Sequence, residues 1–592
     1  MPPTPNHRAG RAELRAALAG SQRLFFGVAV FSFFVNLLML TGPLYMLQIY
    51  DRVLTSRSEA TLVAISVLVV MLYALSGALD YARGRVMARV GARFQSMLDR
   101  RVFEAVLRRS IAPEERTRPA TGLRDLEAVQ RLFSSPALFS FFDMPWTPVF
   151  VLILFLFHWI LGTAAVIGGA VLVGLTLLNQ WRSRRPLVEA TQMSAEAETF
   201  SESLRREAEL VQGLGMRDAG LARWRARRDR ALEATIDASD TSGTISSVSK
   251  SFRFFMQSMM LGLGAWLVLR GELSPGMMIA GSILLGRALA PIEQAIGQWA
   301  LVQRARQGWV QLAELLEKTP VEPARTELPR PRAILDVEQI TVVPPGEKVA
   351  TLRMVSFRIE PGQAMGVIGV SGAGKSTLAR VITGIWRPAS GTVRLDGAAL
   401  DHYGNEALGR HIGYLPQEVA LFDATVAENI ARLSPEPDAA KVVEAAKKAG
   451  AHEMILKLPQ GYDTRIATGG GRLSGGQRQR IGLARAMYGD PVILVLDEPN
   501  SNLDSAGSDA LNRAIQKMKD EGKAVIIMAH RPAAIAMCDT LLLLDGGMRR
   551  AFGPRDEVLR EHLRNFNQVA GTIGAGPRPP ATPPADATEG RT

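Results

Sequence analysis

The chain of 592 residues is almost devoid of cysteine, since Cys538 is the single one. One thiol excludes an internal disulfide framework and any metal site built from several cysteines. We therefore expect Cys538 to be a small core residue. Acidic residues are also outnumbered: 57 Asp and Glu against 69 Lys and Arg leave a net charge of +12. Such a balance is compatible with nucleic acid, anionic lipid or basic cytoplasmic loops as partners.

The apolar residues are concentrated in the first half of the chain. Their total of 47% is ordinary, but the mean hydropathy of +0.08 is high for a soluble enzyme. A membrane crossing takes about 20 residues. Four apolar regions reach that length, and two of them are broken in the middle, at "HWILG" and "RGELSPG". The regions are Leu24–Met46, Thr61–Leu79, Pro148–Leu178 and Phe254–Pro291. With two spans in each broken region, the sequence predicts six membrane helices.

Arginine placement supports this count and gives the orientation. The N-terminus and the segments Arg83–Arg131 and Arg182–Arg230 are rich in arginine, whereas "HWILG" has none and "RGELSPG" has one, balanced by Glu272. Positively charged loops stay cytoplasmic. We therefore expect both termini in the cytoplasm. The two arginine-rich segments are too long for turns, and they are predicted to be helices that continue well beyond the bilayer.

Asp143 lies five residues before the third apolar region, in "FFDMPWTPVF". A carboxylate at the bilayer centre costs roughly 2.5–3.5 kcal/mol. The sequence therefore predicts a boundary position, with Trp146 in the headgroup layer and Pro145 and Pro148 near a helix start. The alternative is a buried helix of a soluble protein. The first apolar run is too long for a cleaved signal peptide.

After Arg306 the pattern changes to a proline-rich linker, "EKTPVEPARTELPRPRA", and then to an α/β alternation. Within it, "MGVIGVSGAGKSTLARVITG" is predicted to be a strand, a glycine-rich loop and a helix. Residues 369–376 match the phosphate-loop pattern G-x-x-x-x-G-K-[ST]. In that pattern the loop amides bind phosphates, Lys375 supplies positive charge and the Ser376 hydroxyl ligates Mg²⁺. The predicted nucleotide contacts are Gly369, Ser371, Gly372, Ala373, Gly374, Lys375, Ser376 and Thr377.

Two adjacent acids follow an apolar strand in "PVILVLDEPNSNLD". We expect Asp497 to reach the metal and Glu498 to polarise the attacking water, because phosphoryl transfer requires mainly positioned water, metal and counter-charge. The alternative is a solvated turn with no catalytic role.

With "RLSGGQRQRIGLARA" added, the second half resembles the ABC transporter ATPases. The resemblance implies that Ser474, Gly475, Gly476 and Gln477 close over a nucleotide bound to the opposite subunit. It implies metal sensing by Gln417, a γ-phosphate contact by His530 and coupling between the two sites by Asp504. By itself, a histidine after an apolar strand is usually structural. The stretch "ITVVPPGEK" lacks the aromatic residue that the family commonly stacks on adenine, which leaves Val343, the prolines or another residue for that contact.

Six spans followed by one ATPase make half a transporter, so the resemblance implies a homodimer. The predicted divisions are a cytoplasmic segment (1–20), a six-helix membrane domain (21–315), a linker (316–333), an α/β phosphate-loop domain (334–567) and a disordered tail (568–592). In "RREAELVQGLGMRDAG", residues 205–220 resemble the second coupling segment of ABC exporters, and "TGLRDLEAVQRLF" lies near the first.

Two membrane stretches, "NLLMLTGPLYMLQIYDRVLTSRSEATL" and "FFDMPWTPVF", resemble the type I secretion ATPase-permeases, in the subgroup that exports proteases and calcium-binding-repeat proteins. The resemblance implies ATP with Mg²⁺, an unfolded polypeptide cargo with a C-terminal signal, a periplasmic adaptor and an outer-membrane channel. It implies an inner membrane location, in contact with membrane lipid. Because few residues precede the first span and none is cysteine, the leader peptidase of some relatives is expected to be absent.

Three alternatives remain open at this stage. A lipid or drug exporter has the same architecture, and only the membrane stretches argue against it. A soluble ABC ATPase acting on DNA or ribosomes is disfavoured by the six spans, so no nucleic-acid partner is expected. A non-hydrolysing receptor or scaffold is disfavoured by the intact acids and Lys375. Within the spans, Asn36 and His158 have two open interpretations, contact with cargo or hydrogen bonding between helices.

Overall fold

The structure is a computed structural model that describes residues 9–111, 121–322, 325–467, 473–501, 503, 505–529 and 535–562. The chain divides after Val321 into two compact units. The first is helical and the second is an α/β unit, and each is described by itself. The predicted tail and the residues His530 and Asp504 lie outside the described residues.

The first unit is built from helices. A π-helical turn, Ile49–Val53, follows the third helix, and a 3₁₀ turn, Met144–Trp146, follows the seventh. The helices are α1 (Ala9–Ala19), α2 (Gln22–Leu38), α3 (Thr41–Gln48), α4 (Leu54–Ser56), α5 (Glu59–Arg109), α6 (Gly122–Phe133), α7 (Pro136–Asp143), α8 (Thr147–Phe157), α9 (Trp159–Arg206), α10 (Ala208–Gly213), α11 (Arg217–Leu269), α12 (Pro275–Gly297) and α13 (Trp299–Lys318).

Among the described residues, six helical segments are long and apolar enough to cross a membrane, as predicted. The third begins at Pro136 rather than Pro148, because the apolar run before Asp143 is itself helical. The segments are Gln22–Ser56, Glu59–Arg109, Pro136–Phe157, Trp159–Arg206, Arg217–Leu269 and Pro275–Gly297. Helices α5, α9 and α11 have 51, 48 and 53 residues. At 1.5 Å per residue each is about 70–80 Å long, more than twice the thickness of a hydrocarbon core.

Local sequence sets where α12 begins. Ser274 caps the helix by accepting a hydrogen bond from the backbone N–H of Met277, and Pro275 occupies the first turn. Asp51 adds a second cap, since its carboxylate accepts from the Ser274 hydroxyl at 2.5 Å and from the Gly276 N–H at 2.8 Å. A carboxylate at a helix N-terminus is stabilised by the helix dipole. The turn after α3 is thereby joined to the start of α12.

Asp143 is buried among helices, with 8% of its surface exposed, instead of lying open to water. Its Oδ1 accepts from the Asn36 side-chain amide at 2.7 Å and from Arg83 at 3.0 Å. Arg83, itself 6% exposed, also donates to Ser32 and Asp80. This cluster joins α2, α5 and α7. It supports the helix-to-helix interpretation of Asn36.

His158 also makes contacts within the protein. Its Nδ1 accepts from the Ile160 N–H at 3.2 Å, and its Nε2 lies 3.3 Å from the Glu272 carboxylate. It therefore caps α9 and contacts the turn between α11 and α12.

The second unit contains both strands and helices. The strands are β1 (Leu335–Val342), β2 (Leu352–Ile359), β3 (Ala364–Ile368), β4 (Ser390–Leu395), β5 (Ala398–Ala399), β6 (Ile412–Leu415), β7 (Ala424–Thr425), β8 (Arg465–Ile466), β9 (Ile493–Asp497), β10 (Ala524–Met528), β11 (Thr540–Asp545) and β12 (Met548–Pro554). The helices are α14 (Lys375–Ile382), α15 (Leu400–Tyr403), α16 (Asn405–His411), α17 (Val426–Ile430), α18 (Ala439–Lys448), α19 (His452–Leu456), α20 (Gly475–Met487), α21 (Ser505–Asp520) and α22 (Arg555–His562), with a 3₁₀ turn at Gly461–Asp463.

The central sheet of this unit has the order β12-β11-β3-β10-β9-β6. All neighbouring pairs are parallel except β11 with β12, at the edge. An antiparallel sheet, β2-β1-β4-β5, and a β7-β8 pair complete the strands described. Every residue of β9 and β10 is buried. Their continuous apolar runs are typical of parallel strands covered on both faces.

Cys538 is in the apolar core of this unit, 2% exposed. Burial raises the pKa of its thiol to about 12, so the thiol stays protonated and inert. This confirms the expected structural role.

Candidate functional site: a phosphate loop facing two acids

The phosphate loop connects β3 to α14 and has the backbone geometry that such loops need. Gly372 and Gly374 have φ angles of +80° and +99°, a region that residues with a Cβ atom disfavour. A Cβ atom on Gly374 would also lie 2.5 Å from the Leu352 side chain. Lys375 folds back over the loop, and its Nζ donates to the carbonyls of Gly369 at 2.7 Å and Val370 at 3.1 Å. The loop is therefore closed around the lysine charge.

The sheet order places this loop beside the two acids. Strand β10 lies between β3 and β9, with Met528 in register with both Val367 and Asp497. The carboxyl ends of these parallel strands thus meet at one edge of the sheet, where ligands of open α/β sheets bind. Asp497 ends β9, and Glu498 follows it directly. The predicted Lys375, Ser376, Asp497 and Glu498 are thereby brought together.

Burial and nearby charges shift the pKa values of the ionisable side chains at this edge of the sheet. Asp497 is 3% exposed. Its pKa is raised by burial, an effect that a hydrogen bond with Ser376 opposes. Burial lowers the pKa of Lys375, because it disfavours the charged ammonium, while the negative charges of Glu498 and Asp497 raise it. A bound cation would favour the ionised carboxylate, because it supplies the missing counter-charge.

The donor set fits Mg²⁺ bound jointly with phosphates. Among the described residues, no group of three or more His, Cys, Asp or Glu side chains could hold a metal ion. Mg²⁺ in nucleotide sites needs only one or two protein oxygens, since phosphates and water complete its octahedron. The Ser376 hydroxyl and the Asp497 carboxylate, which lie at the same edge of the sheet, are such a pair.

Glu498 is held in an unusual backbone conformation, with a φ angle of +52°. Its N–H donates to the carbonyl of Met528 at 3.0 Å. Its side chain accepts from the amide of Gln417, with Nε2 3.1 Å from Oε2. The structure thus joins the predicted metal-sensing glutamine to the predicted base.

The Ser474 segment forms a capped helix start. Ser474 and Gln477 make reciprocal bonds: the Ser474 N–H donates to Gln477 Oε1 at 2.9 Å and the Gln477 N–H to Ser474 Oγ at 3.2 Å. Gly475 and Gly476 form the first turn of α20. Helix N-termini of this kind bind anions. The roles predicted for these residues, as for the rest of the site, remain predictions.

A second polar feature, which the sequence analysis missed, lies among the spanning helices. A cavity of about 600 Å³ between α11 and α12 is bordered by the charged residues Arg253, Arg287 and Glu293. Arg253 is paired with Glu293. Arg287 is exposed to the cavity, and among the described residues it has no acidic partner. The available signal was the presence of charged residues inside apolar segments, which are costly in lipid and mark transport paths.

Comparison with known proteins identifies both units. Residues 25–289 match the family "ABC transporter transmembrane region", and residues 352–501 match the family "ABC transporter". The type I secretion system ATP-binding protein PrsD of Rhizobium meliloti (strain 1021) is 44% identical over 553 residues, which are 93% of this chain and 95% of PrsD. The alpha-hemolysin translocation ATP-binding protein HlyB of Escherichia coli is 28% identical, over 92% of this chain and 78% of HlyB.

Among solved structures, a bacterial Atm1-family ABC exporter with ATP bound has a TM-score of 0.80 and 23% identity, covering 95% of this chain and 100% of its own. At that identity the likeness shows the fold alone, and it confirms the predicted exporter fold. The secretion relatives support the protein-exporter interpretation over the lipid or drug exporter. The chain therefore belongs to the type I secretion ATP-binding proteins of the ABC transporter family, and is an ATP-hydrolysing, multi-pass membrane transporter.

Proposed function

We propose that this protein is the ATP-driven motor of a type I secretion system and exports unfolded polypeptides that carry a C-terminal signal. The observation that carries the proposal is the 44% identity to PrsD along nearly the whole length of both chains. The proposed location is a bacterial inner membrane, with the ATPase unit and both termini cytoplasmic. The proposed partners are a periplasmic adaptor and an outer-membrane channel.

In the proposed hydrolysis, Lys375 and the loop amides bind the phosphates. Ser376 and Asp497 would hold Mg²⁺, which would supply positive charge against the phosphates. Glu498 accepts the proton of the attacking water. The side-chain amide of Gln417, 3.1 Å from the Glu498 carboxylate, orients that carboxylate. His530 is proposed to contact the γ-phosphate, and Asp504 is proposed to couple the two nucleotide sites. These roles agree with the positions of the described residues at one edge of the sheet.

We propose a homodimer, in which Ser474, Gly475, Gly476 and Gln477 complete the nucleotide site of the opposite subunit. The position of Gly475 and Gly476 supports this role, because they form the first turn of α20 and helix N-termini bind anions. The cavity between α11 and α12 is proposed to form part of the cargo path. The position of Arg287 supports a role in the cargo path, since an arginine within a membrane span is costly unless it faces water. Membrane lipid surrounds the remaining faces.

The test compares culture supernatants, by mass spectrometry, from cells that carry the native chain, Glu498→Gln or the matched control Glu453→Gln. Glu453 is exposed and distant in sequence from the site. We expect one or a few whole polypeptides to disappear from the medium with Glu498→Gln alone, while ATP is still bound. If ATPase activity is lost but the secreted proteins do not change, the protein-exporter proposal fails and a lipid or drug exporter takes its place.

A further inference from the structure

Gln479 is a buried polar side chain in the second turn of α20, five residues after Ser474. It is 4% exposed, within a helix whose neighbouring buried residues are apolar. Buried amides are found in cores where they have hydrogen-bond partners, because an unpaired one costs free energy. The identity of its partners therefore indicates its role.

The side-chain nitrogen of Gln479 donates to the backbone carbonyls next to the proposed catalytic base. Gln479 Nε2 donates to the carbonyl oxygen of Pro499 and lies 3.5 Å from the carbonyl oxygen of Glu498. The φ angle of +52° at Glu498 belongs to the left-handed region, which a glutamate occupies only when its surroundings hold it there. Gln479 supplies part of that hold on the carbonyl side, and the bond from the Glu498 N–H to Met528 supplies part on the amide side.

The same helix contacts the segment that follows Gln417. A Cβ atom on Gly482 would lie 2.6 Å from Val419 Cγ1, so the helix and this segment are in close contact. Arg485 donates to the Ala420 carbonyl at 2.9 Å. Helix α20 therefore touches both the backbone of Glu498, through Gln479, and the segment that carries the Gln417 amide to the Glu498 carboxylate.

We propose that Gln479 is a positioning residue for ATP hydrolysis: it holds the Glu498–Pro499 backbone so that the Glu498 carboxylate faces the attacking water. The inference rests on the proposed role of Glu498 as the base. It links the helix that begins at Ser474 to the hydrolytic step in the same chain. Small displacements of a catalytic group reduce rates strongly, by about a hundredfold for 1 Å.

The test uses the purified full-length protein in lipid vesicles, with Gln479→Glu and Gln479→Met. Glutamate keeps the shape of the side chain but turns an oxygen toward the carbonyls, and methionine removes the donor. We expect kcat of the folded variants, assayed well below their melting temperatures, to fall by about tenfold to a hundredfold, with the KM for ATP changed by less than about twofold. Because the buried carbonyls lose their donor, the melting temperature should fall as well. Gln479→His, whose Nε2–H extends about as far as the amide, should restore most of kcat.

Gln516→Met is the matched control, because Gln516 is exposed on α21 and bonds only to Asp520 among the described residues. A KM that rises as kcat falls, with no rescue of kcat by histidine, would overturn the proposal in favour of a packing role. So would normal turnover in both variants.

A double variant separates this inference from the proposed function. In Glu498→Gln no carboxylate remains to be positioned, so adding Gln479→Met should not lower the residual single-turnover rate further. Multiplicative losses would refute the positioning role while leaving Glu498 as the base. Normal hydrolysis by Glu498→Gln alone would instead refute the proposed base itself.

Discussion

The buried cluster of Asp143, Arg83 and Asn36 makes a sharp prediction about the stability of the membrane unit. Asp143→Leu removes the acceptor at 2.7 Å from Asn36 and 3.0 Å from Arg83. Arg83 keeps its bonds to Ser32 and Asp80, so its charge is still partly compensated. Loss of one partner of a buried ion pair costs about 3–5 kcal/mol. We expect the lower end, about 3 kcal/mol.

The assay is the melting temperature of the detergent-purified protein, followed by tryptophan fluorescence. For the unit Met1–Val321, with an unfolding entropy of about 2.1 cal/mol/K per residue, a loss of 3 kcal/mol corresponds to a decrease of about 4–5 °C. Arg83→Met combined with Asp143→Leu removes both charges, and apolar replacement of a buried pair is often neutral. The double variant should therefore melt at a higher temperature than Asp143→Leu alone. Glu104→Gln, in an exposed pair with Arg100, is the control and should melt like the native protein.

The melting temperatures of the native protein, Asp143→Leu and the double variant test whether the buried cluster stabilises the membrane unit. If Asp143→Leu melts like the native protein, Asp143 is solvated and the buried cluster contributes no stability. If the double variant melts lower than Asp143→Leu, the two side chains act independently and the pairing argument is wrong.

Three further predictions concern other contacts. Lys375→Ala should weaken ATP binding by about tenfold to a hundredfold, since a charged hydrogen-bond donor contributes about 1.5–3 kcal/mol. Titration with a fluorescent ATP analogue measures the affinity, and Lys457→Ala, at an exposed lysine, is the control. An unchanged affinity would contradict the role assigned to Lys375. Asp51→Ala should lower the stability of the membrane unit by about 1–2 kcal/mol, because α12 loses its second cap; an unchanged melting temperature would show that Ser274 caps the helix alone. Although burial opposes it, hydrogen bonds from Lys523 and Arg330 hold the pKa of Asp490 well below its ordinary value of 3.8. A depressed pKa adds stability above the ordinary pKa, and this is lost as pH falls through the folded value. Asp490→Asn should therefore lower the free energy of unfolding by about 1–2 kcal/mol at pH 7, a value discounted for the partial exposure of the carboxylate. The difference in stability between the variant and the native protein should shrink below about pH 4. A difference that does not depend on pH would refute the electrostatic cause.

Much of the architecture follows from local sequence. Six spans were predictable, because apolar length and arginine placement are properties of contiguous residues that need no tertiary contact. The phosphate loop and the acids of β9 were predictable for a related reason. Their glycines, lysine and strand-end carboxylates must occur at fixed spacing for the chemistry, so the pattern is visible in one dimension.

Other features depend on residues far apart in the chain. Asp143 is a boundary residue by its local sequence, but it is buried because Arg83 and Asn36, 60 and 107 residues away, supply its partners. Arg287 lies in an apolar stretch, and only the packing of α11 against α12 shows that it borders a cavity. Gln479 lies two residues after Gln477 in the chain, yet its contact with the Glu498–Pro499 backbone exists only because α20 meets the segment that follows β9. The sequence by itself determined which segments cross the membrane and which bind phosphate, since both depend on local composition and spacing. Tertiary structure alone decided which buried polar groups are paired, because each pairing requires two distant segments to meet.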